Sequence, residues 1–376
     1  MSEDIATRIH SRPAALLLKD GTTYKGIGIG PDGISRGEAV FNTCMTGYEE
    51  ALTDPSYAGQ ILVFTYPLIG NYGLDRSVRQ HKTICAAGAA FKRVSRHPSH
   101  HRSCGTLPEW LDESKVRAIE GIDTRALVTR LREAGTMPSV LAVGETAIAR
   151  APAELASYLR QPLDTPALVR SVSVRTQEVH GDGPIRVGLL DCGTKENIAR
   201  SLAEQGVQVV EVPFDSTSEH LLELGLEGLV ISNGPGDPAE LERVVHTLRQ
   251  TITRGTLPMF GICLGHQLLA EALGAKTYKL KYGHRGGNQP VLDCRTGDVI
   301  ITAQNHGYAV DPKSLPADVE QTMINLNDGT NEGLRHTTMP IMSVQFHPEA
   351  SPGPADAHHF FADFVNLLRK RRSAEA

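Results

Sequence analysis

Gly261-Ile262-Cys263-Leu264-Gly265 places a thiol between two glycines, directly after an apolar run and directly before a helical pattern. G-x-C-x-G between strand and helix has the layout of a nucleophile elbow with cysteine in place of serine. Glycines on both sides let strand and helix pack close around a strained residue, so Cys263 would project above the sheet edge. There the positive pole of the following helix favours a thiolate. The motif alone also fits a buried cysteine at a tight turn. A thiolate nucleophile wants a base, and the base wants an orienting group. Gln345-Phe346-His347-Pro348-Glu349 offers both. His347 and Glu349 stand two residues apart at the end of an apolar strand, where such residues share a face. Pro348 has no N–H to donate, so the strand ends or lies at an edge there. Taken alone, this stretch reads as a structural His-Pro turn with a surface glutamate.

Two further corners carry polar backbone. The loop Asn233-Gly234-Pro235-Gly236 exposes N–H groups suited to an oxyanion or a carboxylate. Asp237, Pro238 and Glu240 then read as N-cap, first helical residue and capping-box partner of a helix. Asn305-His306-Gly307-Tyr308 could line the same cleft.

The elements that must position these residues follow an alternating rhythm from Ile185 onward. IRVGLLD, VQVVEVPF, LEGLVIS and PMFGIC read as strands, and TKENIARSLAEQG, AELERVVHTLRQTITRG and HQLLAEALGA as helices between them. Strands separated by helices of this length imply parallel crossovers and an α/β fold with a mostly parallel, doubly wound sheet. In such sheets ligands bind at the carboxyl ends of the strands, where NGPGDP, GICLG and QFHPE all map. Residues 14–143 are strand-rich instead, an α+β pattern opening with a hairpin that turns at Asp20-Gly21. A helix there should start at the N-cap Asp123 and stop at Gly135. The expected organisation is an N-terminal domain over 1–150, a linker over 151–184 that breaks at HGDGP, and a doubly wound domain over 185–376.

Composition sets bounds. The 376 residues are 40% hydrophobic and 22% charged, as in soluble globular proteins. A net charge of −5 gives no global basic field for nucleic acid or anionic membrane. The terminal Arg369-Lys370-Arg371-Arg372 cluster reads as a solvated helix end. The N-terminal apolar run Ala14–Leu18 is too short for a signal segment or a span. Six cysteines without a C-x-x-C pair argue against a disulfide framework or zinc ribbon and suggest a cytoplasmic setting. Gly28, Gly30 and Gly33 fit a dinucleotide fingerprint, but no helix pattern follows them. His97, His100, His101 and Cys104 have metal-like spacing in a Ser/Pro/Arg loop without a supporting carboxylate, and a solvated loop is the better reading.

GICLGHQ, SNGPGDP and QFHPEASPGP together resemble class I, triad-type glutamine amidotransferases. FNTCMTGYEEALTDPSYAGQILVFTYPLIGNYG, AIEGIDTRALVTRLREAG and ITAQNHGYAVD resemble the small chain of glutamine-dependent carbamoyl-phosphate synthase, a likeness running from about residue 14 to 368. The resemblance implies Cys263 as nucleophile, His347 as base and Glu349 as third triad member. It implies oxyanion-hole amides at Gly236 and Leu264, and glutamine contacts at Ser56, Gly234, Gln267, Asn305, Gly307 and Tyr308. Cys44 stands where a small polar residue is common, and 144–184 matches poorly. The implied activity is glutamine hydrolysis that feeds ammonia to a large partner chain making carbamoyl phosphate for arginine and pyrimidine synthesis. No cofactor or metal is implied in this chain, since ATP and magnesium belong to the partner, and no Walker-type loop occurs. The implied assembly is a heterodimer that can associate further. The alternatives are the glutaminase chain of another amidotransferase, such as anthranilate synthase, or a non-catalytic regulator with the same fold.

Overall fold

The computed structural model describes residues 12–162, 164–255 and 257–375. It divides between Asp164 and Thr165 into two compact units.

In the first unit, seven strands close a barrel. They are β1 (Pro13–Leu18), β2 (Thr23–Ile29), β3 (Gly33–Asn42), β4 (Gln60–Phe64), β5 (Gly88–Phe91), β6 (Ala118–Glu120) and β7 (Met137–Val143), in the order β1-β2-β6-β5-β4-β3-β7. The β1–β2 hairpin turns at Asp20-Gly21 as its sequence dictates, with Gly21 at φ 88°. The helix Thr124–Ala134 is capped by the Asp123 side chain and stopped at Gly135, both as expected. The strand-rich reading was right in kind, but closure of the barrel was not visible in it. β1 pairs with both β2 and β7, a long-range pairing that no local pattern encodes. Gly28 lies in β2 and Gly33 opens β3, so the G-x-G-x-x-G spans a strand-to-strand turn and no helix.

The unit boundary corrects the expected linker. A helix over Glu145–Arg160 lays Ala147, Ala151 and Leu155 against Val140 and Ala142 of β7. These small apolar residues recur every four positions, which makes one helical stripe and belongs to the barrel. The next helix, Thr165–Val172, instead buries Val169 in the core of the second unit.

The second unit is built on ten strands among the described residues. They are β8 (Glu178–His180), β9 (Arg186–Asp191), β10 (Gln208–Pro213), β11 (Gly228–Ile231), β12 (Met259–Ile262), β13 (Thr277–Asp293), β14 (Val299–Val310), β15 (Val319–Asn325), β16 (Asn331–His336) and β17 (Ile341–Val344). Their order is β14-β13-β15-β16-β17-β12-β11-β9-β10-β8. Five adjacent strands, β10, β9, β11, β12 and β17, run parallel. The others pair antiparallel, so the sheet is parallel where the motifs lie and mixed as a whole. Helices cover both faces. Val187 and Leu189 of β9 face one core with Ile198, Leu202 and Phe364, whereas Leu190 faces the other with Leu248 and Leu268. That alternation is the doubly wound architecture.

Candidate active site

Cys263 sits between β12 and the helix Leu264–Leu273, at φ 55° and ψ −103°. A non-glycine residue at positive φ is strained, and such strain is stored where the surrounding structure over-determines it. Here the flanking glycines do so. A Cβ on Gly265 would collide with the Ile231 carbonyl of the neighbouring strand, and one on Gly261 would meet the Gly265 carbonyl. The Cys263 amide donates to Val344 O of β17 at 2.9 Å, which ties the corner to the strand leading to His347. The sulfur lies 3.6 Å from Asn305 O.

His347 does not lie in regular strand. β17 ends at Val344, and His347 makes one isolated bridge through its amide to Ala303 O at 2.9 Å. The spacing to Glu349 still works across this turn, because His347 Nδ1 meets Glu349 Oε1 at 2.6 Å. That leaves Nε2, which has no hydrogen-bond partner among the described residues. Both side chains are buried. The surface-glutamate reading of QFHPE is therefore wrong.

A fourth residue, which sequence reasoning missed, completes the arrangement. Lys195 is 2% exposed, and its ammonium lies 3.0 Å from Glu349 Oε1 and donates to Ala350 O. Its backbone N–H donates to Asn233 Oδ1 at 3.1 Å. The available signal was topological: Gly193-Thr194-Lys195 follows the carboxyl end of β9, one of the parallel strands.

The electrostatics follow from burial and charge. Burial alone would hold Glu349 neutral, but Lys195 and then His347 favour its anion and bring it down to about 2. Burial likewise opposes a charge on His347. The Glu349 carboxylate and the Cys263 sulfur outweigh it, raising His347 to about 10. The surroundings thus favour the imidazolium form of His347.

The other expected residues are placed as follows. Gln267, on the helix after Cys263, donates to Tyr308 O at 2.8 Å and to Gln345 Oε1 at 3.0 Å. A Cβ on Gly234 would collide with the Cys192 carbonyl and lie 2.9 Å from Leu264, so the NGPG loop packs against the start of that helix. Gly236 takes φ 96° and sits against Thr165. The expected capping box does not form. Asp237 caps a short 3-10 turn, Pro238–Glu240, whereas Glu240 accepts from the Thr165 amide at 3.2 Å and the helix begins at Glu242. Asn305, Gly307 and Tyr308 lie on β14, so NHGY is a strand rather than a corner. The sheet-end elements therefore bring Cys263, Leu264, Gln267, Asn305, His347 and Glu349 together. Ser56 belongs to the first unit, in the turn Pro55–Tyr57, where its amide donates to Asp54 Oδ1 at 2.9 Å. Among the described residues, two groups of side chains hold metal-ligating atoms within 4.8 Å of one another, His284-His306-Glu332 and Glu178-His180-Glu211, and neither draws on the 97–104 loop.

Comparison with known proteins gives a consistent family. The model for "Glutamine amidotransferase class-I" matches residues 188–367, and that for "Carbamoyl-phosphate synthase small chain, CPSase domain" matches residues 16–141. The carbamoyl phosphate synthase small chain of Archaeoglobus fulgidus is 46% identical over 365 residues, covering 96% of this chain and 99% of that one. This chain belongs to the carbamoyl phosphate synthase small chains. The family's member from Staphylococcus epidermidis RP62A is 45% identical over 361 residues, covering 96% of this small chain and 97% of that relative. The member from Symbiobacterium thermophilum is 45% identical over 354 residues, covering 93% and 97%. Both halves of the small chain thus match within one family, which leaves no support for the anthranilate synthase alternative.

Proposed function

We propose that Cys263 hydrolyses the side-chain amide of glutamine and that the ammonia passes to a large partner chain, which makes carbamoyl phosphate from bicarbonate and ATP. The observation that carries this reading is the buried row Lys195–Glu349–His347 ending at the strained Cys263 corner. The thiolate attacks the amide carbon. The carbonyl electrons move to oxygen, and the amides of Gly236 and Leu264 hold that oxyanion, each donor being typically worth about 3–4 kcal/mol. The tetrahedral intermediate expels ammonia, with the proton coming from His347 Nε2, and leaves a γ-glutamyl thioester. His347, now neutral, takes a proton from water as the water attacks the thioester carbon. Glutamate leaves, and thiolate and imidazolium are restored. Glu349 holds Nδ1 throughout, and Lys195 keeps Glu349 anionic.

The resemblance further assigns Ser56, Gly234, Gln267, Asn305, Gly307 and Tyr308 to the glutamine. It assigns ATP and magnesium to the partner, with no cofactor in this chain, and it implies heterodimers that assemble further in the cytoplasm. No described helix is long and apolar enough to cross a membrane. An electrophilic glutamine analogue tests the nucleophile. It should add once per chain, on Cys263, and free glutamine should protect. A label mapped to another cysteine, such as the exposed Cys104 or Cys294, would overturn the assignment.

A further inference from the structure

Next to Asn305, across β13 and β14, lies a second charge cluster that the mechanism does not use. His284 on β13 stands directly opposite His306 on β14, and Arg285 opposite Asn305. The pairing slips between Lys279 and His284. Gly283, at φ 71°, sits in that slip, and a Cβ there would collide with the His306 carbonyl. The close approach brings the two imidazoles edge to face, with centroids 4.9 Å apart.

We propose that His284 is a positioning residue for glutamine: held between Asp328 and Glu332, it fixes His306 and through it the strand bearing Asn305 and Tyr308. This rests on the glutaminase reading and deepens it.

The first support is charge. Glu332 is fully buried, and Asn325 Nδ2 donates to its Oε1 at 3.0 Å, while Oε2 has no partner among the described residues. A carboxylate so placed needs a neighbouring positive charge. His284 Nδ1 lies 3.7 Å from Glu332 Oε1, and Nε2 donates to Asp328 Oδ2 at 2.9 Å. Burial opposes the imidazolium, but the two carboxylates more than offset it and raise His284. His306 goes the other way. Burial first, then the positive charge of His284, holds it well below its ordinary range, so it stays neutral; Arg285 and His347 push in the same direction.

The second support is connectivity. The single N–H of the neutral His306 ring donates from Nδ1 to Tyr308 O at 2.8 Å, and Nε2, an acceptor in that tautomer, faces the Gln304 amide at 3.0 Å. Tyr308 O also accepts from Gln267, and Asn305 O faces the Cys263 sulfur. The strand that His306 pins therefore touches both the nucleophile and a glutamine-contact residue. A neutral residue at 284 leaves Glu332 uncompensated or moves the positive charge onto His306, and either outcome disturbs the 304–308 strand.

The test is glutamine-dependent kinetics of the full complex with its large chain, comparing His284→Gln, Glu332→Gln and the double variant, with Cys263→Ala alongside. His284→Gln should raise KM for glutamine about tenfold with kcat little changed, a coupling of the size seen between residues in one network. Ammonium-dependent synthesis should be untouched. Adding Glu332→Gln should recover much of the loss, because the uncompensated carboxylate is then gone. An unchanged KM in His284→Gln, or a double variant no better than the single, would overturn the proposal. So would stoichiometric zinc in the purified wild type that His284→Gln loses. Glutamine use surviving in Cys263→Ala would instead overturn the glutaminase reading itself.

Discussion

At the residue scale, the charge on His347 is set by burial and by neighbours that include Glu349 and Lys195. Glu349 is the strongest upward influence on His347, while burial and the Lys195 ammonium both push it down. In the proposed mechanism the imidazolium is the proton donor, so activity should hold through neutral pH and fall as pH rises through about 10. In Glu349→Gln the carboxylate is gone and the downward influences remain, so that alkaline limb should move to lower pH. The same variant should lose less activity at its own optimum than His347→Asn, which removes the shuttle and should cost at least about 10²- to 10⁴-fold. Steady-state glutaminase profiles across pH check both points. An unmoved limb, or a Glu349→Gln variant as inactive as His347→Asn, would contradict the supporting role. The candidate triad stood out in sequence because its residue types are rare in combination and two of its members are two positions apart. Lys195 was not, because a lone lysine signals nothing until β9 is known to end beside Glu349.

At the element scale, the strand-to-helix corner holds the proposed nucleophile. Gly265 lies on the first turn of the helix Leu264–Leu273, where alanine would normally improve helix propensity. Here the added Cβ meets the Ile231 carbonyl, which is backbone and cannot swing aside. Gly265→Ala should therefore destabilise the unit and lower glutaminase activity, despite its better propensity. Thermal melting and kinetics check this; a variant with raised Tm and full activity would show that the corner has slack. Hydrophobic rhythm revealed the parallel strands, the flanking helices and the caps at Asp123 and Gly135 because each is a local signal. It missed what depends on distant partners. Glu240 was free to leave its capping box once Thr165 offered an amide, and the antiparallel strands β13–β16 joined the parallel sheet through pairings set by tertiary packing.

At the scale of the whole molecule, the two halves pose separate questions. Only a short helix near 152–160 was readable in sequence; the full helix Glu145–Arg160, and the stripe that joins it to the first unit, were not. Ser56 is the residue of the first unit that the resemblance links to glutamine. Ser56→Ala should raise KM for glutamine and leave ammonium-dependent synthesis by the complex unchanged; an unaltered KM would remove Ser56 from the substrate contacts. The central claim is that Cys263 releases ammonia from glutamine for a partner with its own synthetic sites. Its most direct test is one preparation of the complex carrying Cys263→Ala, assayed for carbamoyl phosphate with glutamine and then with ammonium. The variant should lose the glutamine-dependent reaction and keep the ammonium-dependent one, since alanine supplies no nucleophile and the partner is untouched. Substantial carbamoyl phosphate from glutamine in Cys263→Ala would contradict the account.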